Sequence, residues 1–561
     1  MNFPTMDYLP SDKSVKIFLI GLIVFGIACR FWGVANDNLV YYDEGLYLAH
    51  NIDFQDFVKK NPPASFPVLW KYLSICFHLA IADTKSLWFF LCSLRSLIWG
   101  PEAIFFPKLL SAIFGSLTVV LTFIFAKQYC RSEGIALLSA AILATLPSHV
   151  YYSRLAMQEG LSTFLFLAGL YYYVFSPKLI RRYVVAGLLF AGVFFTNYRL
   201  IVIPGLLAFI ELFYWATKSW EANFKRWFYT ALTFFAGVFI LGNIDNGANT
   251  RVAFGWMFYQ MHLAQGTREF LNFFSYPYYL FSLESIMLAL SFFASFYFVL
   301  PIARRRYADQ THWALLVALV FFYMVLFSLS QEKGVRYLCI LLPLIATGAS
   351  TVWMMFKEFL CLKNKKTGVL LWIGIISIMF FIHVIKIITI VNFKTDYRAS
   401  IETIVQENGT VGILSTQPLV QKLFVSHRNS VLAAPPDWPL LIALYQRGYR
   451  YLIVDPQVYI SYTQDTKRFS LPLKGYLSFI TQAVKPYKEY PHFSKELLRR
   501  FVLEHNENLR VSLDFLKNST DKDWGTLKVY DIRDCFVAMQ KFKQLSVSQQ
   551  KLDATGSTFR Q

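Results

Sequence analysis

Apolar runs of about twenty residues, each long enough to cross a bilayer, recur from position 15 to position 391. No water-soluble core could absorb so many. They fall at 15–34, 103–126, 133–151, 158–175, 183–198, 200–216, 227–243, 281–301, 312–330, 337–356 and 368–391, about eleven spans on the twenty-residue criterion. Charged residues make up only 16% of the 561, against roughly 25% in a soluble domain, so the chain lacks the polar surface to coat itself in water. The expected fold is an α-helical polytopic membrane protein of about eleven transmembrane helices. The apolar segments 67–82 and 87–99 are interrupted by Lys71, His78 and Arg95, and read as helices lying in the interface or re-entering the membrane. Arg30, Phe31 and Trp32 close the first run with no small-x-small cleavage site beside them, so it reads as a retained span.

The loops give the orientation. With the N-terminus cytoplasmic, the cytoplasmic loops hold Lys127/Arg131, Lys178/Arg181/Arg182, Lys218/Lys225/Arg226, Arg304/Arg305/Arg306 and Lys357/Lys363/Lys365/Lys366. Every one carries a basic cluster, as the positive-inside rule requires, and one missed span would scramble the alternation. The formal net charge of +19 is absorbed by this arrangement, and no basic patch with interleaved aromatics remains to suggest nucleic acid. The seven cysteines have no Cys-x-x-Cys spacing, and neither a zinc site nor a disulfide framework is supported.

From about residue 394 the composition becomes that of a soluble domain. Val411–Ser415, Tyr451–Val454 and Leu527–Ile532 read as short strands, and Leu440–Arg447 as a helix stopped by Gly448. The expected organisation is a transmembrane domain over 1–393, with a long first external loop at 35–102. A soluble α/β domain follows over 394–543 on the exoplasmic face, and a polar, disordered tail over 544–561. Asn408-Gly409-Thr410 and Asn518-Ser519-Thr520 match the glycosylation sequon.

The chemistry-bearing residues gather on the external side. Asp43 and Glu44 follow the first span directly, inside Tyr41-Tyr42-Asp43-Glu44-Gly45-Leu46-Tyr47. The bland reading is a solvated pair beside an interfacial aromatic belt. The functional one is a general base held where a lipid headgroup meets water. The same face holds the Ser153-Arg154…Glu159 corner, Asn197-Tyr198-Arg199 and the segment from Gln331 to Tyr337. His78, His149, His262, His312 and His383 show no ligand spacing and read as structural or interfacial; of these, His149 and His262, on the external side, are the ones to test.

The string around Asp43-Glu44 resembles the motif of the C-type membrane glycosyltransferase superfamily, as found in protein O-mannosyltransferases and the lipid A aminoarabinose transferase. Four further segments match in the same order. They are Asn61-Pro62-Pro63-Ala64 with Leu69-Trp70; Phe106-Pro107-Lys108-Leu109-Leu110-Ser111 followed by Gly115; Ser153-Arg154-Leu155-Ala156-Met157-Gln158-Glu159; and Gly334-Val335-Arg336-Tyr337 running on to Pro343. Asn61 stands where the relatives have lysine, with Lys59 and Lys60 just upstream, and Lys108 replaces an arginine.

The resemblance implies transfer of a single hexosyl or pentosyl unit from a polyprenyl- or dolichyl-phosphate carrier to a protein hydroxyl, glycolipid or glycan. Asp43 and Glu44 are the implied catalytic carboxylates, with Asp43 the base. Arg336, with Lys333, Tyr337 and Lys60, would bind the donor phosphate; arginine grips phosphate in a fork. Arg154, Glu159 and Arg199 would support the site. A divalent metal held by Asp43 and Glu159 is implied by some relatives and not by others, and hard oxygen ligands suit such an ion. The expected setting is an integral membrane protein of a bacterial or archaeal plasma membrane rather than of the endoplasmic reticulum. The rival is a secondary transporter or flippase of a lipid-linked or charged solute. That class carries its ionisable residues near the bilayer midplane, whereas here they stand at span ends.

Overall fold

The computed structural model describes residues 13–36, 38–60, 74, 85–98, 104–175, 179–217, 223–243, 251, 255, 270–299, 311–330, 333–362, 365–409, 411–425, 430–456, 471–491, 494–505, 508–518, 525–542 and 544. Outside them lie the expected interfacial segment 67–82 apart from Ser74, the 61–70 motif, His262, Arg304–Arg306 and the tail beyond Gln544. The chain divides into two compact units. The first holds Met1–Asp37, Tyr47–Asn392 and Asn506–Arg510, and the second Asn38–Leu46, Phe393–His505 and Val511–Gln561. The short segment bearing Asp43 and Glu44 groups with Phe393–His505 and Val511–Gln561.

The first unit is helical. Four of its helices are long and apolar enough to cross a membrane among the described residues: Phe105–Cys130, Tyr198–Ala216, Val335–Cys361 and Lys366–Val391. Other apolar runs fold as shorter or interrupted helices. The 133–151 run breaks into Glu133–Ala144 and Pro147–Tyr152, because the residue before a proline is pushed out of the helical region; Leu146 is extended at ψ 117°. The 281–301 run begins in a wide π turn, Leu280–Glu284, and restarts where the Ser285 hydroxyl caps Ile286–Ala294 by accepting the Leu288 N–H at 3.2 Å. The segment 87–99 forms helix Ser86–Ile98.

One loop cation has another task. Arg226 is buried, and its Nε donates to Glu211 Oε1 at 2.8 Å, while the Tyr173 hydroxyl donates to the same oxygen at 2.5 Å. This ion pair is enclosed by aromatic rings, so Arg226 adds nothing to the headgroup-facing charge of its loop.

The second unit contains a five-stranded mixed sheet in the order β2-β1-β3-β5-β4. β1 (Gly412–Ser415) pairs in parallel with β2 (Val431–Ala433) and β3 (Tyr449–Val454). β5 (Thr526–Asp531) runs antiparallel to both β3 and β4 (Lys488–Pro491). The central strands are apolar because helices cover them. Leu414, Leu452, Val454 and Tyr530 pack with Leu441 and Ile480 from helices Trp438–Gln446 and Leu471–Ala483. The first of these helices is capped by Asp437, which accepts the Leu440 N–H at 2.9 Å, and is closed by Gly448 at φ +98°, a left-handed position that glycine occupies without cost.

Candidate active site

The carboxylate segment belongs to the second unit. Helix Tyr42–Lys60 puts Asp43 and Glu44 in its first turn, where negative charge complements the helix dipole. Glu44 is fully buried, and its Oε2 accepts the N–H groups of Val40 at 2.6 Å and Tyr41 at 3.0 Å. A glutamate three residues past the N-cap that reaches back to the cap N–H is half of a capping box. Glu44 thus fixes the helix start. Asp43, the second helical residue, keeps partial exposure to solvent, so the two neighbouring carboxylates have different surroundings.

This turn packs closely on its own unit. A β-carbon at Gly45 would lie 2.7 Å from Val420 Cγ2 and 2.8 Å from its backbone nitrogen. Tyr41 stacks on Phe501 at 5.7 Å and 21°. Asn38 donates to the Phe393 carbonyl at 3.0 Å and accepts the Thr395 N–H at 3.3 Å. Tyr397, buried in the same unit, is held well above the usual phenol range, first by burial, then by the charge of Asp455 and its hydrogen bond, and last by Glu44. It stays a neutral phenol.

The cations belong to the first unit, where three residues converge. The Arg199 guanidinium sits 4.2 Å from the centre of the Tyr337 ring and donates to its hydroxyl. The Arg336 guanidinium stands 5.6 Å from the same ring. Arg199 is placed by a short 3-10 turn, Tyr198–Val202, capped by Asn197; Arg336 and Tyr337 lie on another, Val335–Leu341. The Tyr323 hydroxyl holds the Tyr337 carbonyl at 3.2 Å. Two guanidiniums thus stand near one tyrosine ring, and each is a planar fork of donors that suits an oxyanion. Lys333 is buried, its ammonium donating to the Ser330 carbonyl at 2.8 Å, and Lys60 is the exposed last residue of its helix.

Among the described residues, the partners of Arg154 are helix-end carbonyls rather than carboxylates. Its guanidinium donates to the carbonyls of Cys29 at 2.5 Å, Trp32, and Val391 at 3.3 Å. It therefore clamps the C-terminal ends of helices Lys13–Phe31 and Lys365–Val391, whose exposed carbonyls and dipoles favour a cation. Lys108 does similar work, donating to the Asn36 carbonyl at 2.7 Å. A β-carbon at Gly115 would lie 2.2 Å from Ser153 Oγ, so this motif packs the corner tightly.

Glu159 opens helix Glu159–Val174 and accepts the Gln158 amide at 3.0 Å. Among the described residues no cluster of three or more His, Cys, Asp or Glu side chains could hold a metal. One network escaped the sequence reading. Buried Arg30 donates to the Ala144 carbonyl at 2.8 Å, and its Nη2 lies 2.6 Å from His149 Nδ1. An arginine is always a donor, so Nδ1 is the acceptor and this ring is neutral; His149 has a structural task.

The family model described as dolichyl-phosphate-mannose-protein mannosyltransferase matches residues 20–247, a stretch that contains Asp43, Glu44, Arg154, Glu159 and Arg199. Among solved structures, ArnT from Cupriavidus metallidurans bound to undecaprenyl phosphate superposes with a TM-score of 0.53 at 12% identity, covering 82% of this chain and 96% of that one. The oligosaccharyltransferase of Archaeoglobus fulgidus in the apo form gives 0.51 at 10% identity, covering 81% and 70%. Its complex with an inhibitory peptide and a dolichol-phosphate, the enzyme AglB, gives 0.51 at 10%, covering 85% and 73%. The chain shares its fold with these two enzymes. No curated protein sequence matches this chain significantly.

Proposed function

We propose that this chain is a membrane glycosyltransferase that moves one sugar from a polyprenyl- or dolichyl-phosphate carrier to an acceptor on the exoplasmic face, inverting the anomeric carbon. Asp43 accepts the proton of the acceptor nucleophile as it attacks from the side opposite the phosphate. Arg336 and Arg199 stabilise the departing lipid phosphate, whose charge grows as the glycosidic bond breaks, and the Tyr337 ring holds the two guanidiniums in place. Lys333 adds positive potential. Glu44 keeps the carboxylate turn in shape. The N-terminus is cytoplasmic and the C-terminal α/β unit exoplasmic, in a bacterial or archaeal plasma membrane. The acceptor is a protein hydroxyl, a glycolipid or a glycan of the cell envelope.

The observation that carries this reading is the pair of guanidiniums on Tyr337. It is supported by the undecaprenyl phosphate bound to ArnT and the dolichol-phosphate bound to AglB. Mass analysis of glycans, glycoproteins and glycolipids from cells lacking the chain tests it. One sugar should disappear from one class of molecule and return with the wild-type chain. An unchanged sugar complement in all three classes would contradict the assignment.

A further inference from the structure

The turn that carries Asp43 is gripped from both sides by residues more than 370 positions away in sequence. Two residues before Asp43, Tyr41 is buried and stacked on Phe501, with the His505 ring 6.3 Å away. Two residues after it, Gly45 meets Val420 so closely that no β-carbon fits. The two contacts come from different elements. Phe501 lies on helix Lys495–Glu504, fixed at its start by the Ser494 hydroxyl accepting the Leu497 N–H at 3.3 Å. Val420 lies on the short helix Pro418–Gln421 directly after β1. Asn38 adds a third attachment, to Phe393 and Thr395.

A helix N-terminus left to itself frays, and a catalytic group misplaced by about 1 Å can cost about 100-fold in rate. Asp43 is partly exposed in the first turn of its helix, so its position follows that of the turn. We propose that Phe501 and Val420 are positioning residues, by which the C-terminal α/β unit fixes the place of the Asp43 carboxylate. This rests on the reading of Asp43 as the general base. It gives the unit a direct part in the chemical step, beyond covering a site or selecting an acceptor. Neither residue touches the reacting atoms; each acts through its neighbour in the carboxylate turn.

The test uses the full-length protein in liposomes. The donor is the radiolabelled polyprenyl-phosphate sugar fraction of the producing cells, and the acceptor is membrane vesicles from cells lacking the chain. Phe501→Ala should lower kcat about 10- to 100-fold while leaving the apparent donor KM within about twofold, since no phosphate contact is removed. Phe501→Tyr, which keeps the stacked ring, should restore most of kcat. Val420→Ala probes the other side of the grip and should give the same split, so the proposal does not depend on one variant folding. Unchanged kcat in folded Phe501→Ala and Val420→Ala, with Asp43→Asn inactive, would overturn the positioning role and leave the base in place. Full activity in Asp43→Asn would remove the base itself and the positioning role with it.

Discussion

Glu44 offers a sharp test because its two tasks, catalysis and capping, predict different orders of variants. Its Oε2 receives two backbone N–H groups inside a fully buried turn. Replacing it by alanine strands both donors, each costing about 1–3 kcal/mol when unsatisfied. Partial entry of water into the opened turn reduces that sum to about 2–4 kcal/mol. Glutamine keeps an acceptor oxygen but loses the charge, and a neutral hydrogen bond is about half as strong, so Glu44→Gln should cost about 1 kcal/mol. Hydrogen exchange of a peptide covering 38–46, followed by mass spectrometry, reads this directly. At a tenfold change per about 1.4 kcal/mol, Glu44→Ala should speed exchange about 30- to 700-fold and Glu44→Gln about fivefold. Unaltered exchange in Glu44→Ala would refute the capping role. So would equal losses in the two variants.

Other consequences concern each unit separately. Glu211→Gln leaves Arg226 charged among Tyr173 and Tyr214, and should cost about 3–5 kcal/mol. Thermal unfolding in detergent should show a large drop that Glu211→Leu/Arg226→Met recovers; a double variant worse than the single would contradict this. Arg199→Ala and Arg336→Ala should each weaken binding of undecaprenyl phosphate about 10- to 100-fold, the value of one charge-assisted hydrogen bond. Calorimetric titration with wild-type affinity for either variant would remove that cation from the site. In the C-terminal unit, Glu407 is held below the usual carboxylate range by hydrogen bonds from Lys488 and then Tyr487. A lowered folded value means that its stabilisation is present above the ordinary value of 4.5 and fades as pH falls through the lowered one. Glu407→Gln should flatten the acid limb of melting temperature against pH, and an unchanged limb would show that the pair contributes nothing.

The membrane character and the family resemblance were legible because both rest on residue type and order. Hydropathy marked the four long apolar helices found among the described residues, but it cannot see where a helix breaks. The interruptions at Pro147 and Ser285 depend on a backbone restriction and on a hydroxyl cap. Of the strands, β1, β3 and β5 were readable as short apolar runs closed by turn residues. β4, Lys488–Pro491, was not, because a polar strand ending in proline is what a sheet edge tolerates; β2 has only three residues.

Arg154 and Glu44 show a different limit. A charge at a span corner reads the same whether its partner is a carboxylate or a set of helix-end carbonyls, and those carbonyls come from positions 29, 32 and 391. The capping task of Glu44 carried no sequence signature because the N-cap residue is Tyr41, not serine, threonine, aspartate or asparagine. Arg199 was readable as a support. Its approach to Tyr337 spans 138 residues of sequence, a contact that no local spacing reveals.

The central claim is that Asp43 is the base of a sugar transfer driven by departure of a lipid phosphate. Its most direct measurement is transfer by Asp43→Asn in reconstituted membranes, since asparagine keeps the size of the side chain and removes its ability to accept the proton. If Asp43 is the base, Asp43→Asn loses at least about 100-fold in kcat and still binds undecaprenyl phosphate at wild-type affinity. Transfer by Asp43→Asn at the wild-type rate would contradict it.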